Sequence, residues 1–194
     1  VQVAINSVRP MALNALITYA WWNTDQGDND LEPVLRDAIK KRITEDQSLA
    51  VRTVIGRRFG TLWELDRDLV EQHLDTIFPR GELITEQRRF IAAWNSFTSH
   101  NVMWEYDVLR PYYIHAIELL DCEDDAYEIN VGSTAAHVVS SYLFGEESLS
   151  DDESLISRYY RVLSPEEATE VARTLANAIG KPEVEGEWDS IRAL

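Results

Sequence analysis

Four histidines (His73, His100, His115 and His137) and one cysteine (Cys122) are the side chains here best suited to ligating a metal or moving protons near neutral pH. The histidines show no H-E-x-x-H or comparable spacing, so no two of them are set up as zinc ligands on one helix face. Each reads as a surface or core residue of a helix. Cys122 lies beside Asp121, Glu123 and Asp124, and such acidic neighbours oppose the thiolate a nucleophile needs. The chain contains no G-x-x-x-x-G-K-[ST], hence no P-loop. The acid-rich runs at 121–125 and 151–153 lack the Gly-centred ligand spacing of an EF-hand loop and read as solvated connectors. No catalytic, metal-ligating or cofactor-binding constellation stands out, and no cofactor is expected.

One basic pair requires weighing. R-P-Y-Y-I-H, Arg110 to His115, resembles the R-x-x-x-x-H motif of HEPN ribonucleases, all-helical enzymes common in defence systems. That resemblance implies a dimer in which Arg110 and His115 cleave RNA phosphodiesters. Pro111 stands where those motifs usually carry a polar residue, and Arg67 with His73 makes a near match elsewhere in the chain. A ribonuclease bundle is therefore the alternative reading.

The charge balance bears on the choice. The chain has 194 residues, 18 basic and 34 acidic, for a formal net charge of −16. Such a surface repels phosphate backbones and disfavours nucleic-acid binding. Lys40-Lys41-Arg42, Arg57-Arg58 and Arg88-Arg89 are local basic groups, but each sits among acids on a predicted helix and reads as a solvated face. Hydrophobic residues at 45% and charged residues at 27% fit a folded globular chain. No apolar run approaches the roughly 20 residues that span a bilayer. The opening residues lack the charged start and apolar core of a secretory signal, and a single cysteine excludes an internal disulfide. A cytoplasmic protein with no membrane contact is expected.

The elements that must position any site are helical, because apolar residues recur at three- and four-residue intervals almost throughout. Ser7 can cap a helix to about Trp22, and Asp30 opens a second with Leu31, Val34, Leu35, Ala38, Ile39 and Ile43 on one stripe. Ser48 can cap a third helix, ended by Gly60. Asp66 precedes a helix reaching Phe78-Pro79, and Thr85 precedes one bearing Phe90, Trp94 and Phe97. Pro111 predicts a kink or a split between about Val102 and Leu120. Helices follow near 131–144 and 155–163, then S-P-E-E at Ser164 opens a last one that ends at Gly180. About nine helices and no strand are predicted: an all-α domain over 1–180, with an acidic tail at 181–194. The doubled aromatics Trp21-Trp22 and Tyr112-Tyr113 cannot all face one core, so one member of each pair is expected at the surface.

Val-Arg occurs in N-S-V-R-P and again in L-A-V-R-T, placing Arg9 and Arg52 43 residues apart, each at a helix start. In the second copy Asp46 lies in the preceding turn, six residues before Arg52; in the first copy Val3 takes that place. The period and the Asp–Arg pair resemble HEAT repeats, stacked helical hairpins in which such side chains bond along the stack. Asp46 and Arg52 are expected to bond to each other, and Arg9 to lack an acid unless another repeat supplies one. No third Val-Arg follows, since Trp94-Asn95 stands there, so the repeat reading rests on residues 1–80 and a compact helical bundle is its alternative. A-I-N-S-V-R-P-M-A-L, L-A-V-R-T-V-I-G-R-R-F, L-D-R-D, I-F-P and A-A-W-N-S-F, spread over about residues 4–115, are similar to the helical-repeat region of large bacterial STAND-type NTPases that sense phage. Pro10 departs from that pattern, in which Gly often follows the first Val-Arg. The resemblance implies a non-catalytic protein-recognition or scaffolding module of a larger defence protein, with a protein as partner.

Overall fold

The computed structural model describes residues 8–25, 31–101, 105–121, 128–143, 147 and 151–179. Every regular element among them is an α-helix, as the apolar spacing requires. Contacts divide the chain into two compact units, Val1–Asn101 and Val102–Leu194. The sequence reading placed no boundary at Asn101. Its boundary at 180/181 falls where the described residues end, and Ser7, Asp30, Cys122 and Gly180 lie outside them.

The first unit holds α1 (Val8–Asp25), α2 (Pro33–Glu45), α3 (Leu49–Arg57), α4 (Phe59–Leu65), α5 (Arg67–Gln72), α6 (Leu74–Ile77) and α7 (Ile84–His100). Helices α3 and α7 are its centre. They approach so closely at Gly56 that a Cβ there would stand 1.9 Å from the Ala93 carbonyl oxygen. Asn101 locks the pair: its Nδ2 donates to the carbonyls of Gly56 (3.1 Å) and Phe97 (2.9 Å), while its Oδ1 accepts the Gly60 N–H (3.0 Å). Gly60 therefore lies inside α4 and does not end the third helix. The break comes at Arg58, whose Nε donates to Asn14 Oδ1 of α1 at 2.8 Å and whose Nη2 donates to Thr18 Oγ1 at 3.3 Å. A tertiary anchor, not a glycine, turns the chain there.

Asp66 caps as expected, its Oδ1 accepting the Leu69 N–H at 2.9 Å. The helix it starts does not run on to Phe78, since His73 divides it into α5 and α6. Ser48 stands at the start of α3 without a side-chain capping bond; Asp46 Oδ1 accepts the Ser48 N–H instead, at 3.0 Å. Around this frame Phe59, Phe78, Phe90, Trp94 and Phe97 form an aromatic core with neighbouring ring centroids 5.0 to 6.2 Å apart. Ile17, Ile39, Ile43 and Ile55 complete it from α1, α2 and α3. Each fully buried side chain of this size contributes about 1.5–3 kcal/mol.

The second unit holds α8 (Tyr106–Leu120), α9 (Val131–Leu143), α10 (Leu155–Val162) and α11 (Pro165–Ile179). Pro111 sits inside α8, which continues past it as one element, so the predicted split does not occur; the proline removes one intrahelical bond, since it has no N–H. Leu109, Tyr113, Ala116, Val138, Ile156 and Tyr159 form the core. The S-P-E-E signal is realised in full. Glu167 Oε2 accepts the Ser164 N–H at 2.9 Å, and Ser164 Oγ accepts the Glu167 N–H at 3.3 Å.

Candidate functional site

Arg52 is fully buried on α3. Its Nη2 donates to the Asp46 carbonyl at 3.1 Å and its Nη1 to the Thr76 carbonyl at 2.8 Å. These carbonyls lie at the C-terminal ends of α2 and α6, where no intrahelical donor is available and the helix dipole is negative. The guanidinium thus caps two helices at once, while its Nε meets no hydrogen-bond acceptor in the structure. Burial lowers the Arg52 pKa, nearby Arg89 adds to that, and Asp46 opposes it; a guanidinium nevertheless keeps its charge.

The expected side-chain bond between Asp46 and Arg52 takes a different form. Arg52 donates to the main chain of Asp46, and the carboxylate, still near enough to act on its charge, forms its ion pairs with other arginines. Its Oδ2 lies 3.6 Å from Arg9 Nη1 and 3.8 Å from Arg42 Nη1. Arg9, expected to lack an acid of its own, receives the one from the second Val-Arg copy. The arrangement has a physical reason. Arg52 reaches carbonyls that need a donor, and the long, exposed Arg9 and Arg42 neutralise the nearly buried Asp46 carboxylate without burying a second cation. The cluster has no open substrate position and reads as architecture.

Arg110 and His115 have separate partners. Arg110 Nε donates to Tyr106 Oη at 2.9 Å and lies 3.4 Å from Glu147 Oε1, and its Nη2 donates to the Glu153 carbonyl at 2.9 Å. His115 Nδ1 is 3.8 Å from Glu118 Oε2. Arg110 thereby ties α8 to the connector that leads into α10. The other histidines are also engaged within the fold: the half-buried His73 and the exposed His100 face carbonyls on their own helical turns at 2.8 and 2.9 Å, and the buried His137 meets the Tyr113 hydroxyl at 2.5 Å. No group of three or more His, Cys, Asp or Glu that could hold a metal ion occurs among the described residues.

Among the described residues, two grooves bear on the search for a site. One, of about 540 Å³, is bordered by Thr24, Leu31, Arg36, Glu64 and Asp66, but its central Arg36 and Asp66 pair with each other at 2.5 Å. The other, of about 280 Å³, lies along Ile114, Ile117, Arg158 and Arg161, both arginines being ion-paired to Glu153. Neither gathers a nucleophile with a base.

Of the eight exposed large hydrophobic side chains among the described residues, four lie on α1, the others being Val34, Leu49, Leu83 and Ile84. Leu13, Ile17 and Ala20 point into the core, yet Val8, Met11, Tyr19 and Trp22 are 83%, 56%, 56% and 67% exposed on the opposite side, with Ala15 exposed between them. The helix is apolar on both faces, and between Val8 and Thr24 its only charge is Arg9. These fractions of four large side chains amount to roughly 500 Å² of contiguous apolar surface, in the upper part of the range for the largest patch on a monomer. Apart from one member of Trp21-Trp22, the sequence reading did not mark this face as exposed. The missed signal is the all-round apolarity of a helix that is not enclosed. The expectation for doubled aromatics holds at Trp21-Trp22, where Trp22 is exposed, and fails at Tyr112-Tyr113, both buried because α8 packs against both α9 and α10. No helix among the described residues is long and apolar enough to cross a membrane. The chain matches no protein-family model, no curated protein and no solved structure.

Proposed function

We propose that this chain is a non-catalytic protein-recognition or scaffolding module whose first unit is a short stack of HEAT-like helical hairpins. The contacts support the stack: α1 touches α3 and α3 touches α7 in one row, while α2 touches α6 in the other. The Arg9–Asp46 link joins the two Val-Arg copies in the way a ladder between repeats would. The observation that carries the recognition reading is the exposed stripe Val8, Met11, Tyr19 and Trp22 on a helix whose other face already completes the core. Among the described residues nothing covers this face, and its composition suits a protein partner: aromatic and Met side chains enriched, acids absent. In this reading the module is a cytoplasmic part of a larger defence protein of the kind its repeats resemble.

The test is site-specific photo-crosslinking. A benzophenone side chain at Tyr19, introduced into the chain in its host cell, should form a discrete polypeptide adduct that the same probe at exposed Gln72 does not form. Equal labelling at both positions, or none, would contradict the proposal. So would ribonuclease activity of the purified chain that disappears in His115→Ala.

A further inference from the structure

We infer that the occupant of the exposed α1 face is a second copy of this chain, packed antiparallel across a two-fold axis through Ala15. This inference rests on the recognition reading above and names its partner. The stripe reads the same in both directions: three, four, four and three residues separate Val8, Met11, Ala15, Tyr19 and Trp22. An isologous contact requires such self-complementarity, because each residue must meet the partner of its own partner. With the axis at Ala15, Val8 packs against Trp22 of the second copy and Met11 against its Tyr19. Large therefore meets small or pliable at every step, and the thioether lies against an aromatic ring. The smallest side chain falls at the crossing point, where two helix axes come within about 8–10 Å.

Charge leaves this face as the place for such a contact. Two copies at −16 each repel, and this helix is where they can approach, since no acid lies between Val8 and Thr24. Burying roughly 500 Å² on each side gives about 1,000 Å² in total, the lower bound for a specific interface. The dimer should therefore be weak and concentration-dependent, and salt should strengthen it by screening the repulsion. A basic protein docking on the acidic surface would show the opposite salt dependence.

Sedimentation velocity on the 194-residue chain, from low micromolar to roughly 500 µM, tests the inference. The wild type should pass from monomer to dimer. Trp22→Glu, confirmed as helical by circular dichroism, should weaken the dimer about a hundredfold or more, because each dimer carries the change twice. In a Cys122→Ser background, Ala15→Cys should give a covalent dimer on mild oxidation, as its Cα atoms near the axis fall within disulfide range; Gln72→Cys should not. A monomer throughout the range, or no disulfide at Ala15→Cys, overturns the inference. If the Tyr19 probe then still captures a different polypeptide, the recognition reading stands without self-association. If it captures nothing, both fall.

Discussion

Replacing Arg52 by methionine keeps most of the side-chain volume and removes the guanidinium that ends two helices. The carbonyls of Asp46 and Thr76 then lose a charged donor inside the first unit. Hydrogen bonds of this kind contribute about 1.5–3 kcal/mol each. Relief of the desolvation that lowers the Arg52 pKa returns part of the loss, so a net cost of about 3–5 kcal/mol is expected. Arg9→Ala removes a side chain 68% exposed at 3.6 Å from its acid, a contact in the range of about 0–1 kcal/mol. Asp46→Asn retains the main-chain acceptor for Arg52 and an oxygen for the Ser48 N–H, but removes the counter-charge of three arginines. Its cost should fall by about 1–2 kcal/mol in the Arg52→Met background, where no buried cation remains to be neutralised. Denaturant unfolding followed by tryptophan fluorescence suits the measurement, because Trp21, Trp22, Trp63 and Trp94, four of the six tryptophans, belong to the first unit. Raising the salt should erode the Arg9 contribution and leave that of Arg52 nearly unchanged. If Arg52→Met cost no more than Arg9→Ala, the buried guanidinium would not be what joins these helices.

Two glycines should respond in opposite ways. Gly56→Ala forces a methyl against the Ala93 backbone, 1.9 Å from its oxygen, and should cost about 1–3 kcal/mol despite the better helix propensity of alanine. Gly81→Ala meets only the end of the flexible Glu86 side chain and should be neutral or slightly stabilising in the same unfolding assay. Glu147 gives a pH signature in the second unit. Its carboxyl is 4% exposed beside Arg110, and burial raises its pKa, with Asp151 adding to this and the Leu155 N–H and Arg158 opposing. A raised carboxyl pKa means that the folded state binds the proton more tightly, so this site favours folding below the ordinary glutamate value of about 4.3 and loses that contribution as pH rises through the raised value. Glu147→Gln should therefore match or exceed the wild type at neutral pH, and its advantage should shrink as the pH falls towards that value. An advantage that grows on acidification would contradict the assignment.

How much of this was legible in the sequence depends on how local each determinant is. Ser164 and Glu167 lie three residues apart and satisfy each other, so the start of α11 could be read from four letters. The turn at Arg58 depends on Asn14 and Thr18, 44 and 40 residues earlier, and no pattern near Arg58 marks it. Gly60 was legible as a glycine but not in its role, which Asn101 determines. The pair Asp46 and Arg52 was correctly located, but its geometry was not. Spacing places two residues near each other without revealing which atom of the aspartate faces the arginine or that Arg9 takes the carboxylate. The outer face of α1 was hidden for the converse reason. An apolar residue on a helix is ordinarily core, and only packing shows that α2, α3 and α4 cover one side and leave Val8, Met11, Tyr19 and Trp22 outside.

The central claim is that this outer face is surplus to folding and is kept for a protein contact. It is tested most directly by measuring one variant in two ways. Tyr19→Ser/Trp22→Ser, unfolded by denaturant at a concentration where the chain is monomeric, should stay within about 0.5 kcal/mol of the wild type, as surface changes do. The same variant, carrying the photo-crosslinker at Met11, should lose the polypeptide adduct that the wild-type face forms. A loss of stability above about 2 kcal/mol would place these rings within the fold itself, and an undiminished adduct would show that they recognise nothing.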